Sequence, residues 1–282
     1  MKKFILSFLF VGTVAVSAYS QTYQELCERA VASTEQDSLA QAEDYIRGAL
    51  KLDPANPHNA LLFSNLGTIQ CRQRKLEQAL ESYTFALNIA PRTVAILLNR
   101  AAVYLELGKG ELARIDYSLA LDIEKDNEEA LLMRAYIYMQ QRDYKMARAD
   151  YVRLLKLDPE NNNGRLGLAT LEQKDGKYEA ALTILNDMIA GKPASAEDAG
   201  TQYAVLYVAR AGVEKDLNHL DMALMDLEEA IRLDASQAEA YLIRGEIYLS
   251  QKKKELAKLD FEKAISLGVP QAELREVLQQ CR

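Results

Sequence analysis

Tryptophan is absent from this chain of 282 residues, and histidine (2), cysteine (3), proline (6) and glycine (13) are scarce. Each shortage removes a class of answer. Cys27, Cys71 and Cys281 are odd in number, so they cannot all pair within one chain and are no disulfide framework. His58 lies in "NPHNA" and His219 in "DLNHLD", neither with a Cys or His at ligand spacing, so no metal and no other cofactor is expected. G-x-S-x-G, H-E-x-x-H and a phosphate-binding glycine loop are all missing; "LGKG" and "DGKY" lack the flanking pattern. With no nucleophile–base constellation, the chain is not expected to be an enzyme, and an unrecognised catalytic site is the remote alternative. What dominates instead is Ala, Leu, Glu, Lys, Arg and Gln, the strong helix formers, which points to an all-α fold.

Long apolar runs are also rare. The conspicuous one, Phe4 to Val16, follows Lys2 and Lys3 and precedes the small residues Ser17, Ala18 and Ser20. This is the pattern of a secretory signal peptide over residues 1–20, with cleavage expected after Ser20 and Ala18 as the other choice. The run is short for a membrane span, so an uncleaved anchor is the alternative and no membrane insertion is expected after cleavage. No cysteine follows at lipoprotein spacing; the nearest is Cys27. Export to a periplasm is expected, with an extracellular location as the alternative. The net charge of −7 becomes −9 once Lys2 and Lys3 are removed, and such a chain repels phosphate backbones, so no nucleic-acid partner is expected.

Small residues then mark a period. Aligned segments such as "LEQALESYTFALNIAP" (76–91) and "LDMALMDLEEAIRLDA" (220–235) share one Ala column. It holds Ala42, Ala79, Ala113, Ala147, Ala181, Ala223 and Ala257, in steps of 37, 34, 34, 34, 42 and 34. Twelve residues before each stands another small one: Ala30, Gly67, Ala101, Ala135, Ala169, Ala211 and Gly245. Four residues after each comes a bulky one: Ile46, Tyr83, Tyr117, Tyr151, Leu185, Leu227 and Phe261. A period of this length means a solenoid of helix pairs. Two helices approach closely only where neither carries a bulky side chain, and the large residue a turn later fills the space beside that contact. Pro54, Pro91, Pro159 and Pro193 stop the second helices.

These columns resemble those of the tetratricopeptide repeat (TPR) family, of an exported bacterial type. The match is best over 63–91, with Phe63, Leu66, Gly67, Ala79, Tyr83, Ala86 and Pro91 in register. The resemblance implies a right-handed α-solenoid (superhelix) of antiparallel helix pairs over 21–282. Its units are expected at about 23–56, 60–93, 94–127, 128–161, 162–195, 204–237 and 238–271, with a capping helix over 271–282. Two insertions break the phase: "PHN" (57–59), and "AEDAGTQY" (196–203), which is expected to lengthen the sixth unit's first helix.

One column departs from the family, which commonly has Leu there. The residue before each first small one is Arg29, Leu66, Arg100, Arg134, Leu168, Arg210 and Arg244. Sixteen residues on stand Tyr45, Ser82, Asp116, Asp150, Ile184, Asp226 and Asp260. The matching predicts structural ion pairs Arg100–Asp116, Arg134–Asp150, Arg210–Asp226 and Arg244–Asp260, each with two parallel hydrogen bonds that Lys would not imitate. The first unit breaks the rule, with Asp44 adjacent to Tyr45.

The resemblance also implies a concave groove lined by the first helices, along a stripe that residues spaced three and four apart share. Carried onto this chain, that stripe holds Leu98, Ala102 and Leu105, then Leu132, Tyr136 and Met139, then Leu166. Ser64, Thr68, Lys215, Glu239 and Glu246 form its polar flanks. The expected function is a non-catalytic protein–protein scaffold that holds a peptide segment or helix of a partner in this groove. The alternative is a structural subunit that organises an envelope or secretion complex through its convex face and ends. The Lys, Asn and Arg clamp with which some TPR domains grip a terminal carboxylate is absent, although Asn65 and Asn99 occupy suitable places.

Overall fold

The structure, a computed structural model, describes residues 18–191 and 200–281. The expected signal peptide lies outside them but for its end, as do Pro193 and the first half of the 196–203 insertion. The chain divides into two units, Met1–Gln141 and Arg142–Arg282. In the first the helices are α1 (Ala18–Glu35), α2 (Leu39–Leu52), α3 (Asn59–Arg72), α4 (Leu76–Ile89), α5 (Val94–Glu106), α6 (Gly110–Ile123) and α7 (Glu128–Gln140). The second holds α8 (Tyr144–Leu157), α9 (Asn162–Lys174), α10 (Tyr178–Ala190), α11 (Gly200–Asp216), α12 (Leu220–Leu233), α13 (Ala238–Ser250), α14 (Lys254–Ser266) and α15 (Arg275–Gln280). No strand occurs among the described residues. Within each unit every helix packs on the next in chain order, as in a solenoid, and first helices also touch one another: α3 with α5, α9 with α11, and α11 with α13.

The small columns form the contacts that hold the pairs. Ala42, Ala79, Ala101, Ala113, Ala211 and Ala223 are fully buried, as are the large residues beside them, Tyr83, Tyr117 and Leu227. Gly67 shows how tight the approach is: a Cβ there would lie 2.8 Å from the Tyr83 ring, and one at Gly245 would lie 2.8 Å from Phe261. The glycines stand opposite rings whose edges reach the helix backbone itself.

The turn inside each pair has a second regularity. Asp37, Arg74, Gly108, Arg142, Gly176, Asn218 and Lys252 all have φ between 59° and 75°, and each stands five residues before its marker Ala. The residue after the turn closes it by donating its backbone N–H to a carbonyl five residues back. Examples are Lys75 to Gln70, Lys109 to Tyr104 and Lys253 to Tyr248, all at 2.8 Å. This is the Schellman ending of a helix, which favours glycine at the left-handed position, yet five of the seven are not glycine. Second helices α2, α4 and α8 end two residues before Pro54, Pro91 and Pro159.

Two segments depart from the regular pattern. Helix α11 has 17 residues where α5, α7, α9 and α13 have 13, so the described part of the insertion extends a first helix by about one turn. The expected cap over 271–282 is shorter, because residues 271–274 after Pro270 are turns and only α15 is helical. Leu274, Val277, Leu278 and Cys281 nonetheless pack with Phe261 and Ala264 of α14. Gly108 has nothing within 4 Å of a would-be Cβ, so only its backbone is at stake. Gly108→Ala should cost about 1 kcal/mol in urea unfolding, and Lys252→Gly should gain a similar amount. Equal stability of both variants with the parent would refute the strain assigned to these turns.

Candidate partner groove and its arginine clasps

The arginine column joins the two helices of a pair. Arg100 on α5 donates from Nε to Asp116 Oδ2 and from Nη2 to Asp116 Oδ1 on α6, both at 2.8 Å. Arg210 on α11 and Arg244 on α13 make the same two-pronged contact with Asp226 and Asp260, at 2.6–2.8 Å. The carboxylates are buried, whereas the Arg100 side chain keeps 17% of its surface exposed. Hydrogen bonds to Asp116, Asp226 and Asp260 raise the pKa of Arg100, Arg210 and Arg244 above the usual value, against the opposing effect of burial.

The remaining prong reaches a third helix. Arg100 Nη1 donates to Thr84 Oγ1 of α4 at 3.2 Å, Arg134 Nη1 to Ser118 Oγ of α6 at 3.2 Å, and Arg210 Nη1 to Asn186 Oδ1 of α10 at 2.7 Å. Tyrosines cover the cations: Arg100 lies over Tyr104, Arg134 over Tyr138, Arg210 over Tyr207, and Arg244 over both Tyr241 and Tyr248. Arg100 and Arg210 thus tie their own helices to neighbours on either side. Arg134 and Asp150 belong to different units of the chain, and their pairing stands as the expectation from the sequence. Arg29 instead donates to Glu25 one turn away, over the Tyr45 ring, while Asp44 is exposed.

Around the units with Leu in this column, ion pairs join one repeat to the next instead. Glu172 on α9 accepts two bonds from Arg148 of α8, at 2.9 and 2.7 Å. Glu43 on α2 is held by Arg47 and by Lys75. Its burial alone would raise the carboxyl pKa, but those two cations bring it below the ordinary value.

The groove residues split between the units. In the first, Leu98, Ala102 and Leu105 on α5 and Leu132 and Met139 on α7 are half-buried, and Tyr136 is 48% exposed. Leu166, in the second unit, is half-buried against a cluster with Ala169, Ala181 and Leu185. Two expected flank residues are not at the surface. Ser64 and Thr68 are buried, because Thr68 Oγ1 bonds the Ser64 carbonyl at 3.1 Å and lies 3.0 Å from the Tyr83 hydroxyl. Lys215 and Glu246 pair with each other, and Glu239 is exposed. The first insertion also has work: Asn59, fully buried, accepts from the Tyr23 hydroxyl at 2.9 Å and donates to the Asp53 carbonyl at 2.8 Å.

Against known proteins, tetratricopeptide repeat models match residues 65–128, 128–161 and 238–267. A solved tetratricopeptide repeat protein from Parabacteroides merdae is 36% identical, with 93% of this chain and 99% of that one covered and a TM-score of 0.78. The chain belongs to the tetratricopeptide repeat family. No curated protein matches it. More distant structures share the TPR fold. Pseudomonas aeruginosa pilF is 17% identical over 82% of this chain and all of its own, with a TM-score of 0.61. YrrB, described as a TPR protein with an unusual peptide-binding site, is 18% identical over 74% of this chain and 97% of its own, at 0.56.

Burial raises the pKa of the Cys27 thiol, and that of Cys71 to about 11, so both stay protonated at neutral pH. His219 Nδ1 lies 2.8 Å from Glu214 Oε2, which commits that ring to a structural partner. No metal-binding cluster occurs among the described residues.

The clasps carry a stability prediction. Removing one partner of a fully buried pair costs about 3–5 kcal/mol, and the partial exposure of Arg100 lowers the expectation for Asp116→Ala to about 2–3 kcal/mol. Asp122→Ala, at an exposed position of the same helix, should cost well under 1 kcal/mol. Equal losses for the two in denaturant unfolding would show that the Asp116 pair contributes nothing special.

Proposed function

We propose that this TPR protein is an exported, non-catalytic scaffold that holds an extended segment or amphipathic helix of a partner protein along α5 and α7. TPR proteins generally bind proteins or peptides, and the observation that carries the reading here is the apolar band of Leu98, Leu105, Leu132, Tyr136 and Met139. Its side chains are half-buried on one stripe, and Tyr136 stands out as a large, exposed aromatic. Such a surface suits the apolar side of a peptide, with Tyr136 as the central anchor. The amino-terminal pattern supports export, with the mature chain starting at Gln21.

A second reading, a structural subunit of an envelope or secretion complex, draws on the other face. Leu112, Ile115 and Leu119 of α6 are more exposed than most of the groove residues and fall on one side of that helix. Recovery of partners on the immobilised chain, isolated from a periplasmic fraction, separates the readings. Leu132→Asp with Tyr136→Ala should cut recovery at least about tenfold, and Ile115→Asp should leave it unchanged. The reverse pattern would move the contact to α6, and a chain retained in the cytoplasm with Met1 intact would contradict export.

A further inference from the structure

Among the described residues, the groove stripe of the first unit has one charge. It is Glu129, exposed in the first turn of α7, and it heads the row of Leu132, Tyr136 and Met139. Gln24, Leu61 and Ala95 stand at its place on α1, α3 and α5. Burial first, and then the charge of Glu129, raise the pKa of Tyr117 on α6. Tyr117 is fully buried, so Glu129 lies on the inner side of α7, with the groove row.

The cations around the row are engaged or outnumbered. Arg100 is held by Asp116 and Thr84, Arg72 by Asp37, and Arg74 by Glu106. The turns leading into α5 and α7 carry Arg92 and Lys125, against Glu124 and Asp126 in the turn and Glu128 at the start of α7. With Glu129 the balance at that end is acidic. The row itself has a helical step. Leu132 and Met139 are seven residues apart, about 10 Å of rise, and Leu98 and Leu105 repeat that step on α5. A helix with an apolar seam of the same seven-residue step matches both rows.

We propose that the occupant of this groove is an amphipathic helix with Lys or Arg in its last turn, set antiparallel to α7 so that its cation meets Glu129. Lys and Arg favour the last turn of a helix, where the carbonyl ends carry partial negative charge, and an antiparallel setting brings that turn to the first turn of α7. An acidic segment would set like charges together there. The proposal rests on the groove reading of the function and adds the charge and direction of the partner to it.

Fluorescence anisotropy of two labelled peptides with the full chain tests it, with circular dichroism to show that each variant is folded. Both peptides are helices of about 18 residues, a Leu seam on an Ala and Gln background, and differ in having Lys or Glu in the last turn. The Lys peptide should bind about three to five times more tightly, the range of an exposed ion pair, and the difference should vanish in about 1 M salt. Glu129→Lys should reverse the preference. Glu81→Lys, the same change of net charge at an exposed site on second helix α4, should leave it as it is. Leu132→Asp with Tyr136→Ala should weaken both peptides at least about tenfold. Equal binding of the two peptides, still lost in that double variant, would overturn the cationic partner and leave the groove reading standing. A preference that Glu81→Lys changes as much as Glu129→Lys would also overturn it, as attraction to the net charge alone. Failure of both peptides to bind at about 1 mM would overturn the proposal and the groove reading together. So would a dimer of the free chain that Leu132→Asp dissolves, since that would give the groove to a second copy.

Discussion

Everything in this chain follows from how closely two helices approach when the residues between them are small. A helix carrying Ala or Gly at the contact brings its backbone within reach of its neighbour, and the fully buried ring or branched side chain one turn on fills the wedge beside it. Where the neighbour is Tyr83 or Phe261, even a methyl group is too large, and glycine stands there. This closeness sets which side chains can then reach one another. An arginine beside the small residue meets a carboxylate on the second helix because the two backbones are near, so the clasps depend on the small columns and not the reverse.

The clasps explain a cation in an apolar stretch such as "LLNRAAVYLELG" (97–108). Arg100 keeps only 17% of its side chain exposed, bonds Asp116 and Thr84 through all three guanidinium nitrogens, and lies over the Tyr104 ring. Net gain over a leucine is small, because desolvation offsets most of the attraction. What the arginine adds is direction: five donors in a fixed plane fit one arrangement of three helices, whereas leucine fits many. Each leucine unit is instead joined to the repeat before it, Glu172 to Arg148 and Lys75 to Glu43.

Much of this was legible in the sequence, because steric rules act on residue size and spacing. The small columns, the prolines after second helices and the sixteen-residue step from arginine to aspartate can all be counted along the chain. The left-handed turns were harder. Gly108 and Gly176 signal them, but Asp37, Arg74, Arg142, Asn218 and Lys252 adopt the same conformation without the residue that announces it. The third prong of the clasps was hidden because Thr84, Ser118 and Asn186 have no such partner until the following helix is in place. Ser64 and Thr68 read as groove polarity and are buried, and Thr68 meets the Tyr83 hydroxyl, a contact between helices that spacing alone does not reveal. Glu172 stands where Tyr104, Tyr138 and Tyr248 stand in other units, and that exchange was the available signal for its partner Arg148.

The claim at the centre is close approach, and the sign of a single substitution tests it. Inside a helix, Ala is better than Gly by about 1 kcal/mol, so Gly67→Ala should stabilise the chain if nothing lies opposite. The close approach of Tyr83 reverses that expectation to a net loss of about 1–2 kcal/mol, because overpacking outweighs propensity. Urea unfolding of Gly67→Ala beside Gly110→Ala, a helical position with open space around it, gives the answer. A lower midpoint for the first and an equal or higher one for the second is the predicted result. A Gly67→Ala chain as stable as Gly110→Ala would contradict the packing on which the rest of the structure depends.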